Sequence, residues 1–281
     1  MRPSVSSLDV IRCRSLDQAL AALHEHGGSL VPLAGCTDLY VALNAGTLAA
    51  TRFLDIWPLD ELRGIVMDGG TLRLGALATY QDVLGSAHVR AHLPMLVEAA
   101  RQVGAVQIQQ RGTLGGNVVN ASPAGDTLPV FAAADAVVVL RSVRGARQVP
   151  FTAFYTGYRA TVRQPDELVV RIDVPPVPGR QWFRKVGTRA AQAISKVVIA
   201  AVRGGRPRIA LGSVAPVVVR AWRTEEALAS GASMAEAQAR LASEISPIDD
   251  IRSSAAYRLR VSQNLLARFW SDTTPDMGRV G

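Results

Sequence analysis

The first clear pattern along the chain is a run of apolar residues at helical spacing. Ser15 precedes this run and Gln18 stands at its third helical position, an arrangement typical of a capping box. Gly27–Gly28 follows and ends the predicted helix. The apolar face consists of Leu16, Ala19, Leu20 and Leu23. The pattern therefore predicts a helix that buries one side.

A strand, a tight loop and a second helix are predicted next. Leu30–Leu33 is a short apolar run, and the residues after it, as far as Asp38, form a glycine-containing turn. The following helix extends through Ala45. Two further apolar runs, Ile65–Met67 and Leu72–Gly75, flank an Asp-Gly-Gly sequence and predict a hairpin.

Two more helix starts precede the most unusual stretch of the chain. Thr79, with Asp82 three residues later, indicates one start, and Pro94 fits the first turn of a helix that runs to about Val103. The stretch Gly112–Asp126 then reads GTLGGNVVNASPAGD and has neither a helical nor a strand period. We expect a long functional loop there.

The predicted order of strands and helices changes after the proline-rich segment Pro175–Gly179. Before it, strands are predicted at Val137–Leu140, Gln148–Val149 and Leu168–Val174. After it, we predict strands at Phe183–Val186, Ile194–Val202 and Arg208–Val214, and helices at Thr224–Ser230, Ala235–Ser243 and Ser253–Trp270. We therefore place a domain boundary near residue 178.

Composition narrows the possible functions. The chain has 281 residues, of which 48% are hydrophobic and 19% charged, so it can bury a large core without disulfides. The net charge is +8, but the arginines that carry it are scattered and aromatic residues make up only 5%. No known nucleic-acid-binding motif accompanies them, and we expect no nucleic-acid partner.

The absence of certain residue types and motifs excludes several kinds of functional site. Cys13 and Cys36 are the only cysteines, too few for an iron–sulfur cluster, and no His and carboxylate spacing indicates a metal. The motifs GxGxxG, GxxxxGKS/T and GxSxG are absent. The N-terminus lacks the apolar segment of a signal peptide and no apolar stretch is long enough to span a membrane. We expect a cytoplasmic protein.

Two glycine-containing segments, Ala34–Asp38 and Thr113–Asn117, are the candidate binding sites. Consecutive backbone N–H groups in such segments form concave anion sites, called nests, and glycine lets a phosphate approach the backbone closely. Two such segments can hold one pyrophosphate between them.

With these segments in this order, the chain resembles the FAD-binding subunit of the molybdenum hydroxylases, which include xanthine and carbon monoxide dehydrogenases. The resemblance extends almost end to end. It rests on LAGCTDLY at Leu33–Tyr40, where the family usually has AGGTDL, and on QIQQRGTLGGNVVNASPAGDTLP at Gln107–Pro129. Three further segments follow in the order that the family has. They are PDELVVRIDVP at Pro165–Pro175, FRKVGTRAAQAISKV at Phe183–Val197 and SPIDDIRSSAAYRLRVSQNLLAR at Ser246–Arg268.

This resemblance implies an α+β fold. A two-lobed FAD-binding unit of the vanillyl-alcohol-oxidase type would be followed by a C-terminal α+β domain with an antiparallel sheet and helices. The implied domains are an N-terminal FAD-binding lobe, a middle FAD-binding lobe and the C-terminal domain, at residues 1–56, 57–178 and 179–281.

The resemblance also implies the FAD contacts. Asp126 corresponds to an aspartate that contacts FAD, Val103 and Val169 to apolar contacts, and Lys185 to a lysine near the flavin or its side chain. Cys36 stands where the family usually has glycine. The pyrophosphate would lie against Leu33, Ala34, Gly35, Cys36, Thr37, Asp38 and Leu39 on one side and Thr113, Leu114, Gly115, Gly116 and Asn117 on the other.

The implied function is electron transfer. In the family, a large subunit carries molybdopterin and oxidises the substrate, and a small subunit with 2Fe–2S clusters passes the electrons to FAD. FAD then reduces NAD, a quinone or another acceptor. The resemblance implies these two partner subunits and a possible dimer of heterotrimers. No acid/base pair is evident in this chain, so no catalytic residue is assigned.

Alternatives remain at this point. The chain is either the FAD subunit, a structural relative that has lost FAD, which Cys36 would favour, or a stand-alone flavin reductase. Lys185, one of two lysines, is either a FAD contact or a surface residue. The last predicted helix has an apolar row that packs either against a partner subunit or within its own domain. The row consists of Leu259, Leu266 and Phe269.

Overall fold

The computed structural model of the chain describes residues 8–190 and 192–274. Its first part is a three-stranded parallel sheet in the order β1–β3–β2. The elements are β1 (Asp9–Arg12), α1 (Leu16–His26), β2 (Val31–Leu33), α2 (Leu39–Ala45) and β3 (Arg52–Asp55). The expectation about a signal peptide falls partly on residues 1–7, which lie outside the described residues.

The predicted ends of α1 are confirmed. The N–H of Gln18 donates to Oγ of Ser15 at 3.3 Å, and Gly27 ends the helix with a φ of 51°. The Gln18 side chain accepts from the N–H of Arg14 at 3.0 Å rather than from Ser15, so the capping box is incomplete. Strands β1 and β3 were not predicted, because four residues with polar ends carry too little periodicity.

The second part is a five-stranded antiparallel sheet in the order β4–β5–β10–β6–β7. Its strands are β4 (Ile65–Asp68), β5 (Thr71–Gly75), β6 (Val137–Ser142), β7 (Gly145–Pro150) and β10 (Leu168–Val174). The short strands β8 (Tyr155–Gly157) and β9 (Ala160–Thr161) form a separate two-stranded sheet. The β4–β5 hairpin is confirmed. Gly69 and Gly70 at its turn have φ of 55° and 83°, which this tight turn requires.

Six helices connect β5 to β6, and all but the fourth of them contribute side chains to the core of the middle sheet. They are α3 (Tyr80–Gly85), α4 (Ala87–His92), α5 (Pro94–Arg101), α6 (Val106–Arg111), α7 (Leu114–Asn120) and α8 (Leu128–Ala133). The capping of α3 by Thr79 and the proline start of α5 are confirmed. The predicted loop at Gly112–Asp126 is wrong, since it contains α7. Leu114 and Val118 are 0% exposed, and this burial stabilises a helix that the glycine-rich sequence disfavours.

The third part is a four-stranded antiparallel sheet followed by three helices. Its elements are β11 (Arg180–Val186), β12 (Val197–Arg203), β13 (Arg208–Gly212), β14 (Val219–Arg220), α9 (Trp222–Ala229), α10 (Met234–Glu244) and α11 (Ala255–Asp272). Leu266 and Phe269 are fully buried and pack with Leu259 in the core of this part, so the docking interpretation of that row is wrong. None of the described helices is long and apolar enough to cross a membrane.

Strand β12 joins the third part to the rest of the chain because both of its faces are buried. Val198, Ala200 and Val202 belong to the core of the middle sheet, whereas Val197 and Ile199 belong to the core that α11 closes. All five are 0% exposed. Since alternate side chains of a strand point to opposite faces, one strand serves two cores.

An ionic cluster around the buried Arg220 crosses the same junction. Arg220 in β14 donates to Oδ1 of Asp135 at 2.6 Å and to Oε2 of Glu225 at 3.0 Å. Arg208 donates to the other oxygen of Asp135 at 2.8 Å. Asp135 lies between α8 and β6, and the other three residues belong to the third part. The cluster therefore holds the middle part against the C-terminal sheet.

Replacing Arg220 should weaken this junction. We expect Arg220→Met to lower the free energy of unfolding by about 3 kcal/mol, because Glu225, whose side chain is 9% exposed, would remain without its cation, whereas Asp135 keeps Arg208. Urea unfolding measures the change. Arg268→Met is the control, since the Arg268 side chain is 69% exposed and its ion pair is expected to contribute less than about 1 kcal/mol. Equal losses in the two variants would contradict the role of the cluster.

Candidate functional site

A cleft of about 1140 Å³ is lined by the loop after β2, helices α2 and α7, strand β10 and residues 192–194. Its volume exceeds the roughly 300–1,000 Å³ of most small-molecule sites, which suits a long ligand. All the predicted site residues line it except Leu114 and Lys185. Those in the wall are Leu33, Ala34, Gly35, Cys36, Thr37, Asp38, Leu39, Val103, Thr113, Gly115, Gly116, Asn117, Asp126 and Val169.

The loop after β2 offers free backbone donors to the cleft. The N–H groups from Gly35 to Asp38 have no acceptor among the residues that the structure describes. Position 35 requires glycine because the backbone of Arg111 lies very close to it. An added Cβ would lie 1.6 Å from the carbonyl oxygen of Arg111. Successive free N–H groups of this kind can bind an anion, as the sequence predicted for this segment.

Cys36 adopts a backbone conformation that favours glycine. Its φ is 63°, in the left-handed region, which accounts for the glycine that the family usually has here. Its Sγ lies 3.5 Å from the carbonyl oxygen of Ala34. Burial raises the pKa of the Cys36 thiol, while the Arg111 guanidinium acts in the opposite direction. The thiol is therefore protonated at neutral pH, and we assign it no redox role.

Arg111 and Trp57 support this loop, and sequence reasoning missed both. The Arg111 guanidinium stacks over the Trp57 ring at 3.8 Å from the centroid, and that of Arg63 lies at 4.4 Å from it. The carbonyl of Arg111 is the group that approaches Gly35. A signal for Arg111 was available, because it directly precedes the second glycine segment in the QQRGTLGGN run.

Asp38 connects this loop to α7. Nδ2 of Asn120, the last residue of α7, donates to Oδ1 of Asp38 at 3.0 Å. Arg159 donates to Oδ1 of Asn120 at 2.8 Å. Both of these partners line the cleft and neither was predicted. The bonds fix the spacing between the two walls of the cleft.

The second glycine segment is the first turn of α7 and not an open nest. The N–H of Leu114 donates to the carbonyl of Ala78 at 2.9 Å, and that of Gly115 to the carbonyl of Ala76 at 2.8 Å. The expectation of a second nest is therefore wrong, because these donors already have acceptors. A Cβ on Gly115 would lie 2.7 Å from Cβ of Ala76. Glycine at this position thus permits close packing next to β5.

Thr113 and Asn117 also stabilise α7. Oγ1 of Thr113 accepts from the N–H of Gly116 at 3.1 Å. Nδ2 of Asn117 donates to the hydroxyl of Tyr80 at 2.7 Å and to Oγ1 of Thr127 at 3.0 Å. Tyr80 lines the cleft and was not predicted, although it follows directly on the cap of α3. These contacts hold the α7 wall in place.

Asp126 and Lys185 form a buried ion pair. Nζ of Lys185 lies 2.6 Å from Oδ2 of Asp126, with the two side chains 6% and 10% exposed. Nζ also donates to the carbonyl of Gln102 at 3.1 Å. Lys185 is therefore no surface residue, and Asp126 accepts from it rather than from a loop N–H. Burial raises the pKa of Asp126 to about 6, against the lowering effect of the ammonium.

The second carboxylate oxygen of Asp126 indicates which ligand group the cleft can bind. Oδ1 is buried and has no hydrogen-bond partner among the described residues. An acceptor in that position is costly unless a donor reaches it, and a ligand hydroxyl would supply one. The cleft therefore offers N–H donors for a diphosphate and an acceptor for a hydroxyl. FAD carries both groups, so the residues present fit FAD.

Two protein-family models match the chain in succession. The one described as "FAD binding domain in molybdopterin dehydrogenase" matches residues 6–177. The chain belongs to this family. The second, described as "CO dehydrogenase flavoprotein C-terminal domain", matches residues 182–273. The chain is thus a FAD-dependent oxidoreductase subunit with FAD as its cofactor.

Curated relatives of this FAD-binding family span nearly the whole chain. The glyceraldehyde dehydrogenase medium chain of Sulfolobus acidocaldarius is 30% identical, over 93% of this chain and 96% of that one. The carbon monoxide dehydrogenase medium chain of Hydrogenophaga pseudoflava is 31% identical, over 91% and 93%. The xanthine dehydrogenase FAD-binding subunit of Escherichia coli O157:H7 is 29% identical, over 88% and 89%.

A solved structure supports the same assignment. Carbon monoxide dehydrogenase from Hydrogenophaga pseudoflava contains a chain that matches with a TM-score of 0.89 and 29% identity, over 98% of this chain and all of that one. The expected α+β fold, a FAD-binding unit followed by a domain with an antiparallel sheet and helices, is confirmed.

The left-handed backbone at Cys36 predicts a gain in stability for glycine. We expect Cys36→Gly to raise the free energy of unfolding by up to about 1 kcal/mol, because the strain of a Cβ at positive φ outweighs the entropy that glycine adds to the unfolded chain. Urea unfolding of the flavin-free chain measures this. Cys36→Ala keeps the Cβ and should show no gain, and a Gly variant less stable than the Ala variant would refute the explanation.

The raised pKa of Asp126 predicts how FAD affinity depends on pH. An ionised carboxylate accepts a hydrogen bond more strongly than the neutral acid, so affinity should fall as the pH decreases through about 6. Between about pH 8 and about pH 5 we expect a loss of about tenfold, measured by titration of flavin fluorescence.

Two variants make this test specific. Asp126→Asn should bind FAD more weakly at neutral pH and show no fall below about pH 6. Asp60→Asn is the control, because that carboxylate is 97% exposed and lies outside the cleft lining. A wild-type affinity that is constant with pH, or a fall of equal size in Asp126→Asn, would show that Asp126 is not the group responsible.

Proposed function

We propose that this chain is the electron-transfer subunit of a molybdopterin-dependent hydroxylase or dehydrogenase. It takes electrons from the 2Fe–2S clusters of a small partner subunit and passes them to an external acceptor such as NAD or a quinone. The observation that carries the proposal is the cleft, in which the free N–H groups of Gly35–Asp38 and the unpaired Oδ1 of Asp126 line one cavity.

The chain's own residues bind and orient the cofactor, which supplies the redox chemistry when bound. We assign the diphosphate to the N–H groups of the loop Leu33–Leu39, a hydroxyl to Oδ1 of Asp126, and apolar contact to Val103 and Val169. Lys185 acts through Asp126, whose carboxylate it holds and keeps ionised at neutral pH. The α7 residues assigned to the supporting wall are Thr113, Leu114, Gly115, Gly116 and Asn117.

The partners belong to the same proposal. They are a large molybdopterin-binding subunit and a small 2Fe–2S subunit, with doubling into a dimer of heterotrimers. The relatives named as medium chains support a multi-subunit enzyme. The two cysteines of this sequence are also too few to ligate such clusters here. A division at residues 1–56, 57–178 and 179–281 and a cytoplasmic location complete the proposal.

The sequence leaves a structural role without FAD as an alternative, and the cysteine at position 36 is its support. The left-handed φ of Cys36 means that the substitution strains the loop. The loop N–H groups nevertheless have no acceptor in the part of the chain that the structure describes, which favours FAD binding over its loss. A stand-alone flavin reductase would instead act without the two partner subunits, and the assembly of the three chains distinguishes it.

The test compares complexes formed by co-expression with the two proposed partners. The wild type should form a complex with one FAD per chain and reduce an external acceptor when substrate is supplied. Gly35→Ala should assemble without FAD and without reducing the acceptor, because its Cβ would meet the Arg111 carbonyl oxygen at 1.6 Å. Gly85→Ala is the matched control, since an added Cβ there meets no atom within 4 Å.

Two outcomes would overturn the proposal. One is a wild-type chain that stays monomeric with both partners present. The other is a flavin-free Gly35→Ala complex that reduces the acceptor at the wild-type rate. Mass in solution, the visible absorption of the flavin and the rate of acceptor reduction together decide between them.

A further inference from the structure

The loop that carries Asp126 is held by the C-terminal sheet. The N–H of Ser213, just after β13, donates to the carbonyl of Pro123 at 2.8 Å. The hydroxyl of Ser195, just before β12, donates to the carbonyl of Ala124 at 3.3 Å. Lys185 in β11 holds Asp126 itself. Three residues of one cleft loop, Pro123, Ala124 and Asp126, are therefore each tied to a different strand end of the third part.

The two serines form a pair with little freedom. Their hydroxyl oxygens are 2.8 Å apart, and Ser195 is 1% exposed. Ser213 has a φ of 65°, a left-handed conformation that non-glycine residues adopt only when their surroundings impose it. A Cβ on the neighbouring Gly212 would lie 3.0 Å from the Pro123 oxygen. The loop and the end of β13 are thus in close contact.

Arg258 on α11 fixes both serine segments at once. It is 3% exposed and donates to the carbonyls of Lys196 at 2.7 Å and Ser213 at 2.9 Å. Its other terminal nitrogen donates to Oδ1 of Asp250 at 2.8 Å. A planar guanidinium is suited to bridging several fixed acceptors, which a lysine cannot do in the same way.

None of these three residues lines the cleft. The two serines donate to backbone carbonyls of the loop, and Arg258 donates to carbonyls of the serine segments, so all three act on the cavity through the loop. Because Oδ1 of Asp126 has no donor among residues 8–190 and 192–274, its position follows from Lys185 and from the loop that carries it. The side chains that hold the loop therefore determine where this acceptor lies.

We propose that Ser195, Ser213 and Arg258 are positioning residues of the FAD site, which act by holding the loop 122–126 so that Asp126 accepts from a hydroxyl of FAD. This inference rests on the proposed function. It makes the C-terminal domain a required part of the cofactor site, in addition to the contact of Lys185 with Asp126.

A double-mutant cycle with the full chain tests whether the serine acts through Asp126. Ser195→Ala should raise the Kd of FAD about tenfold, because the Ala124 carbonyl loses a buried donor and the loop shifts. In an Asp126→Asn background the same substitution should change the Kd less than about twofold. Ser142→Ala is the control, a buried serine in β6 whose Oγ accepts from the N–H of Arg144.

A second pair of variants and a flavin-free readout complete the test. Arg258→Lys should also weaken FAD binding by about tenfold, while Arg268→Lys on the exposed side of α11 should not. In the flavin-free chain, Ser195→Ala should speed the hydrogen exchange of the Gly125 N–H, which donates to Ser122 within the loop, by about tenfold.

The outcomes separate the two proposals. A wild-type chain without affinity for FAD overturns the proposed function, and the exchange rate of Gly125 then decides alone whether the serine holds the loop. If the wild type binds FAD, two results overturn the inference: an unchanged Kd in Ser195→Ala, or an equal rise in Kd in the wild-type and Asp126→Asn backgrounds. The predicted coupling together with faster exchange supports it.

Discussion

The geometry of the cleft depends on the ion pair between Asp126 and Lys185, because this pair joins the middle part of the chain to the C-terminal sheet. The charged atoms are 2.6 Å apart and both side chains are almost fully shielded from water. Burying two charges is costly unless they pair closely. The carboxylate therefore stays where Lys185 holds it, and its second oxygen is left available to a ligand.

The rest of the junction makes this pairing possible. Strand β12 is buried on both faces, so the C-terminal sheet cannot move away without exposing two cores. At another point of the junction, Arg220 joins Asp135 and Glu225 across the same boundary. These contacts fix the orientation of β11, which carries Lys185. The C-terminal domain thus contributes to the site through rigidity as much as through its own side chains.

Local features were predictable from the sequence, and contacts between distant residues were not. The caps at Ser15 and Thr79 and the Gly69–Gly70 turn depend on residues within a few positions, so their patterns sufficed. Helix α7 depends on the burial of its apolar residues against strands far along the chain, and its glycines concealed it. Arg111 was missed because its carbonyl, not its side chain, approaches Gly35. The family resemblance found part of the cleft lining but not Tyr80, Asn120 or Arg159, nor which residues bond to each other.

The most direct test of this account is the affinity for FAD when Lys185 is replaced. Lys185→Met should raise the Kd at neutral pH about tenfold or more, because Asp126 then becomes a buried acid without its cation. In an Asp126→Asn chain the same replacement should have little further effect, since a neutral amide needs no ammonium partner. A Kd of Lys185→Met equal to that of the wild type, or fully additive effects of the two substitutions, would contradict the account.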